Sequence, residues 1–593
     1  MIRDVGFLSW KPSNTWMESM NGPQWTALLQ KENSLFAKML SSVASRSDIL
    51  QKAYEFKDAH NTCVYKYKNL YIKQDGHEYS WSKTGDNFTD YTVCDLDTDE
   101  EYVYQIRDKS NGSQKYSLEC VSDSKTLWHL DNVGSSVFLK KSNCYILGAT
   151  NTLIYNSLLL VSDGRVETVY LEKDKKFSLR LEKRDTDLFL IRYSAAYEEL
   201  YYVADKLYRL SSEATSFYPI GIYKNKLCYF AYTDSWKAVG FNFPYTFQNM
   251  IEYVSLEDSI LILRHYGSKR VYNFKDKLTL VDNFYGDLHV NPWTLKLENA
   301  YVSTPGKGLT PFYSNDCKSS YATVKRYFAV SKDSRRVPYI VVRPECKIKS
   351  LIVIAYGAYG LPTNLSTERW KPYLEEGWCI VFALVRGSGD HTVKWASDAK
   401  TVKKITSYYD LEACIKYAQK LLHISPEQTC VYGRSAGGYL LGIAISQTNG
   451  SLFKMAYAEV PYVDVLHTST NPNLPLTALE YDEFGNPSKS IYEFETILNL
   501  SPVDSLNYNN PPDVAIVCNT GINDKEVYAY ESLKWIEALR GKDKDSSRKL
   551  VSISENQGHF FKGFTRYMNY SSNFYLLNSF RYEHGNVKRR IKK

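Results

Sequence analysis

From about Pro23 to Lys57, apolar residues recur every three or four positions: Trp25, Leu28, Leu29, Leu35, Phe36, Met39 and Leu40 stand among charged neighbours. That period predicts an amphipathic helix. From about His60 to Pro311 the texture changes to short runs rich in Val, Ile, Tyr and Phe, separated by turn residues. Examples are Asn69–Lys73, Ser157–Ser162, Asp187–Tyr193, Glu199–Ala204, Lys226–Thr233 and Ser259–His265. They read as strands, with hairpin turns expected at Asp75-Gly76 and Asp163-Gly164. So long a span of strands with almost no helical period predicts a sandwich, barrel or propeller. At roughly 40–50 residues per blade, a propeller of this length would hold about five or six.

From about Tyr321 the period alternates. Strand-like runs (Tyr339–Arg343, Leu351–Tyr356, Cys379–Val385, Thr429–Tyr432, Met455–Val460, Val514–Cys518, Leu550–Ser554) are interleaved with helical ones at Asp410–Leu422, Ala436–Gln447, Glu526–Arg540 and Phe564–Phe580. Apolar strands followed by amphipathic helices predict a mostly parallel sheet covered on both faces. The expected organisation is a helical segment over 1–59 packed on the last region, an all-β region over 60–318, and an α/β region over 319–593.

Composition changes this picture little. A chain of 593 residues is too long for one compact domain. The 50 tyrosines favour strand-rich structure. The formal charge of +7 is small for this size and comes from dispersed lysines and arginines, so it gives no argument for nucleic acid, and no nucleic-acid partner is expected. Eleven scattered cysteines without a C-x-x-C pair read as reduced thiols, with neither a zinc site nor a disulfide framework. Met1-Ile2-Arg3-Asp4 lacks the apolar core of a signal peptide, and no run is long enough to span a membrane. The expectation is a soluble cytoplasmic protein with no membrane partner and a solvated basic end at Lys588–Lys593.

Cys430-Val431-Tyr432 closes an apolar strand, Gly433 breaks it, and Leu440–Ile445 continues as an apolar helix. Gly433-Arg434-Ser435-Ala436-Gly437 between them has the Gly-x-Ser-x-Gly form of a nucleophile elbow. A serine needs a base held by a third group, and in this type of sheet the order is Ser, acid, His. Three histidines follow Ser435. His467 precedes any plausible acid and His584 lies in the basic tail, whereas His559 follows the last apolar strand. Asp524, in the turn after the strand Val514–Cys518, is the expected acid. Neither a P-loop nor a metal-ligand cluster stands out, so no cofactor is expected.

Beyond these residues stand Tyr356-Gly357-Ala358-Tyr359-Gly360, Arg386-Gly387-Ser388-Gly389, Leu476–Pro487, Asn523-Asp524 and Gly558-His559. In these motifs, their order and their spacing, the stretch from about Tyr321 to Phe580 resembles the catalytic domain of the prolyl oligopeptidase family, and within it the oligopeptidase B branch. The resemblance implies a seven-bladed propeller in the N-terminal half and a triad of Ser435, Asp524 and His559. It implies an oxyanion hole made by the Tyr356 hydroxyl and the Ala436 N–H. Glu480 and Asp482 would receive a basic side chain before the cut bond, where a carboxylate suits a guanidinium, and Arg386 would be a further substrate contact.

Four positions depart from the family pattern. Asp482 stands where glutamate is usual. Asn364 and Ser366 replace two aspartates used for a second basic residue. Glu526 stands near a backbone-binding arginine of the family. The implied activity is hydrolysis of short peptides after Arg or Lys through an acyl-enzyme. Two alternatives are an esterase or thioesterase of the same fold and a propeller-based interaction protein. The sequence leaves blade number, natural substrate and oligomeric state open.

Overall fold

The structure is a computed structural model. It describes residues 3–590 apart from 286–321 and positions 11, 60–62, 76–77, 86, 100, 123–124, 141–142, 163, 185, 195–196, 224, 242–245, 256–258, 275–278 and 543–546. The chain forms two units. One joins Met1–His60, Lys318–Pro472 and Glu483–Lys593, and the other joins Asn61–Cys317 with Asn473–Asp482. The stretch 473–482, read from sequence with the α/β region, goes with the β unit, where the Leu476 N–H donates to the Thr152 carbonyl.

The β unit is a propeller of antiparallel meanders. Its described strands form sheets of three, seven, four, four and four. The seven-stranded sheet is two meanders sharing the 16-residue strand Lys125–Lys140, whose first part pairs with Tyr116–Ser122 and whose second part pairs with Asn143–Ala149. Among the described residues this makes six such units. Their inner faces interlock in succession. Tyr145, Leu147 and Leu158 of one sheet pack with Leu179, Leu181 and Leu190 of the next, and Phe189 and Ile191 pack in turn with Phe217 and Tyr229. Strands flank both expected hairpin turns, pairing Asp75 with Glu78 and Ser162 with Arg165, although Gly76 and Asp163 lie outside the described residues.

The other unit carries an eight-stranded sheet of α/β-hydrolase type: β1 Ala322–Val330, β2 Arg336–Pro344, β3 Ser350–Ile354, β4 Trp378–Ala383, β5 Thr429–Arg434, β6 Met455–Glu459, β7 Ala515–Gly521 and β8 Lys549–Ser554. Their spatial order is β1-β2-β4-β3-β5-β6-β7-β8, antiparallel at β1-β2-β4 and parallel from β4 onward. Every residue of β3, β4 and β6 is buried, as parallel strands covered on both faces require.

The single helix expected over Pro23–Lys57 is two, α1 Gly22–Ser41 and α2 Arg46–Asp58. The break has a local cause: Ser45 forms a capping box with Asp48, which satisfies the first amides of a new helix. Asn33 of α1 then covers the open edge of β8, its side chain donating to the Ile553 carbonyl and accepting the Ile553 N–H. An exposed strand edge is a pairing hazard, and this contact removes it. Glu32 adds a two-pronged bond to Arg540 at 2.8 and 2.7 Å.

Candidate active site

Strand β5 ends in a turn that only a particular backbone can make. Ser435 has φ 53° and ψ −122°, a strained conformation for a residue with a side chain. A Cβ on Gly433 would stand 2.2 Å from the Gly437 carbonyl oxygen, and one on Gly438 would stand 2.5 Å from the Pro461 Cα. Glycine is therefore required on both sides of the serine, and a helix starts at Ala436. The Ser435 N–H donates to the Glu459 carbonyl at 3.0 Å, and its own carbonyl accepts from Gly438 and Tyr462 at 2.8 and 3.0 Å.

His559 and Asp524 come from the loops after β8 and β7, which the Asn523 N–H joins by donating to the Gln557 carbonyl. His559 Nε2 lies 3.1 Å from Ser435 Oγ, and Nδ1 lies 2.8 Å from Asp524 Oδ2. Asp524 is wholly buried. Its Oδ1 accepts the N–H groups of Glu526 and Val527, each at 2.9 Å, so one oxygen builds the loop and the other holds the imidazole. A carboxylate at Nδ1 keeps the proton there and leaves Nε2 as an acceptor facing the serine hydroxyl. Burial, the largest influence, pushes the imidazole pKa down. Asp524 and then Glu526 more than offset it, and the group ends above the ordinary histidine value.

Sequence reasoning missed several supports. Arg434, the variable residue before the serine, donates to the His559 carbonyl at 2.6 Å and lies over the Phe560 ring. Its only sequence signal was its place in the elbow. Arg369 donates to Glu459 at 3.0 and 2.7 Å beneath the nucleophile, and nothing in its sequence neighbourhood marks that role. Glu526 Oε2 comes to 3.5 Å from His559 Nε2.

Tyr356 is half-buried at the end of β3. A Cβ on Gly437 would stand 3.4 Å from the Tyr356 Cα and 3.5 Å from its ring, which brings Tyr356 against the residue next to Ala436. Arg386 is placed differently from the expected substrate contact. Its guanidinium is buried and taken up by Asp410 at 2.9 and 2.6 Å and by Asp333 at 2.5 and 3.0 Å. Those carboxylates occupy the bonds a substrate would use. The next residue, Gly387, accepts the Gly360 N–H of the Tyr356 loop at its carbonyl at 3.0 Å.

Glu480 and Asp482 lie on a helix, Thr477–Phe484, within the segment assigned to the β unit. The following Glu483 is buried and pairs with Lys404 at 3.0 Å, and Lys404 also bonds the Gly357 carbonyl at 2.7 Å. Asn364 is used inside its own loop, accepting the Ser366 N–H at 2.9 Å.

Glu18, Asp464 and His467 bring ligand-type atoms within 4.8 Å of one another. Lys534 Nζ already stands 2.6 Å from Glu18 and 2.7 Å from Asp464, so an ammonium fills the cation position. Burial, then Lys534 and Arg3, push His467 down to about 2, which keeps it neutral. None of the described helices is long and apolar enough to cross a membrane.

Residues 365–576 match the prolyl oligopeptidase family. Protease 2 of Moraxella lacunata is 33% identical over 246 residues, 40% of this chain and 35% of that protein. A prolyl endopeptidase-like protein of Gallus gallus is 34% identical over 220 residues, 36% of this chain and 30% of its own. The chain thus spans about a third of the length of the curated relatives it matches. Oligopeptidase B from Trypanosoma brucei, solved with covalently bound antipain, aligns with a TM-score of 0.82 at 18% identity, covering 97% of this chain and 95% of that one. The fold is common to both, and the match to the prolyl oligopeptidase family over residues 365–576 falls on the α/β-hydrolase unit that carries Ser435, Asp524 and His559.

Proposed function

We propose that this chain is a serine peptidase that hydrolyses short peptides on the carboxyl side of Arg or Lys through an acyl-enzyme. The observation that carries it is the relay from Asp524 through His559 to Ser435, at 2.8 and 3.1 Å. His559 Nε2 takes the Ser435 proton as Oγ attacks the carbonyl carbon. The proton then passes to the leaving amine as the C–N bond breaks. Water, activated by the same nitrogen, breaks the Oγ–acyl bond and restores the serine. The Ala436 N–H, first in its helix, and the Tyr356 hydroxyl are the donors for the developing oxyanion, where one donor contributes about 2.7–4 kcal/mol.

The basic preference rests on Glu480 and Asp482 together with the oligopeptidase B likeness. A cytoplasmic site of action fits the free thiols of Cys120, Cys144, Cys379 and Cys414. A fluorophosphonate probe labelling Ser435, with cleavage of arginyl amides, is the expected result; neither occurring would sink the reading. Glu480→Gln should lower kcat/KM on arginyl substrates far more than on a neutral ester.

A second reading keeps the nucleophile but takes esters or thioesters. Glu526 favours it, because a carboxylate 3.5 Å from His559 Nε2 offers no donor to a peptide carbonyl. Matched acyl esters and amides separate the two by their relative kcat/KM.

A further inference from the structure

Glu526 Oε2 approaches the same imidazole nitrogen that faces the nucleophile, at 3.5 Å against 3.1 Å for Ser435 Oγ. Asp524 holds the opposite nitrogen, so the ring lies between two carboxylates. The Glu526 side chain is 25% exposed, and its backbone is fixed by the bond from its N–H to Asp524 Oδ1. Its position is therefore set by the same loop that sets the triad.

Geometry then gives it a substrate to face. Nε2 must deliver its proton to the leaving atom, which has to come within roughly 3 Å of that nitrogen. With the carboxylate oxygen 3.5 Å from Nε2, the leaving atom comes within about 6.5 Å of it. A full charge at that range, partly shielded from water, senses any charge on the first residue of the leaving group. We propose that Glu526 determines specificity on the leaving side of the cut, favouring a cationic residue there and rejecting one that carries free carboxylates. This rests on the peptidase reading, but it concerns the opposite side of the scissile bond from Glu480 and Asp482. Glu526 also acts on His559 as a positioning residue. The charged groups facing that ring system are Asp524 at Nδ1, Glu526 at Nε2 and Arg434 at the backbone carbonyl, the last opposing the other two.

The test uses the full chain, Glu526→Gln and Glu526→Asp. Substrates share an arginyl acyl part and differ in the leaving residue: lysinamide, glutaminamide or free glutamate. Wild type should prefer lysinamide over glutamate by roughly 10–100-fold in kcat/KM, as one nearby charge allows. Glu526→Gln should compress that ratio to about threefold or less, with Glu526→Asp in between. The pH dependence of Ser435 labelling by a fluorophosphonate needs no peptide, and its acid limb should move to lower pH in Glu526→Gln. A merely structural role would slow all substrates alike and leave that limb in place, which overturns the proposal. Labelling and cleavage by wild type without any leaving-side preference overturn it too, while leaving the peptidase reading intact. A wild type that neither labels nor cleaves overturns both.

Discussion

The Ser435 N–H donates to the Glu459 carbonyl at 3.0 Å, which ties the strained elbow to the neighbouring parallel strand. The Glu459 side chain is buried in turn beneath both amino groups of Arg369 and the hydroxyls of Tyr432 and Tyr457. Replacing Arg369 with leucine strands a carboxylate in a site with little water. The expected cost is about 3–5 kcal/mol, read as a lower denaturation midpoint, together with slower labelling of Ser435. An unchanged midpoint would refute this support role.

Asp524→Asn separates orientation from folding. The amide retains an oxygen able to accept the Glu526 and Val527 amides, so the loop should persist. It also presents an N–H to His559, which reverses the tautomer and leaves Nε2 protonated towards Ser435. The expected loss is about 10⁴-fold in kcat with little change in melting temperature. A loss below tenfold would remove Asp524 from the relay.

Tyr356→Phe tests the oxyanion donor. The ring keeps its packing against Gly437, so binding should be preserved while kcat falls by roughly 10²–10³-fold. A rise in KM at constant kcat would instead assign Tyr356 to substrate binding.

His559 has a raised pKa, and the sign matters. The imidazole must be neutral to take the serine proton, so kcat/KM should fall as pH drops through a midpoint above the ordinary histidine range. Stability runs the other way. The pairing of protonated His559 with its carboxylates contributes fully below the unfolded value and is lost as pH rises through the folded one. Activity and this share of stability should therefore change in opposite directions across that window, as paired pH–rate and pH–melting curves would reveal.

Much of the fold was readable because burial imposes a period. β4 to β8 read as apolar runs since both their faces are covered, and the meanders read as short runs rich in Val, Ile, Tyr and Phe since strands such as Asp187–Tyr193 pack on a neighbouring sheet with each face. The break between α1 and α2 was missed because the apolar period continues through it, whereas the cause is a hydrogen-bonding box at Ser45 and Asp48. Arg386 was misjudged for a related reason. A guanidinium in a family motif looks available for substrate until Asp410, from a helix 24 residues later, is found against it.

The sequence by itself determined the sheet type, the elbow glycines and the order of serine, acid and histidine, because these are local properties of period, backbone freedom and chain direction. Tertiary packing decided that Arg369 pairs with Glu459, that Arg434 holds the His559 carbonyl, and that Glu526 comes to 3.5 Å from Nε2. Those relations join residues from separate loops and strands. Their strength depends on distance and dielectric, and neither is written in the spacing of residues along a chain.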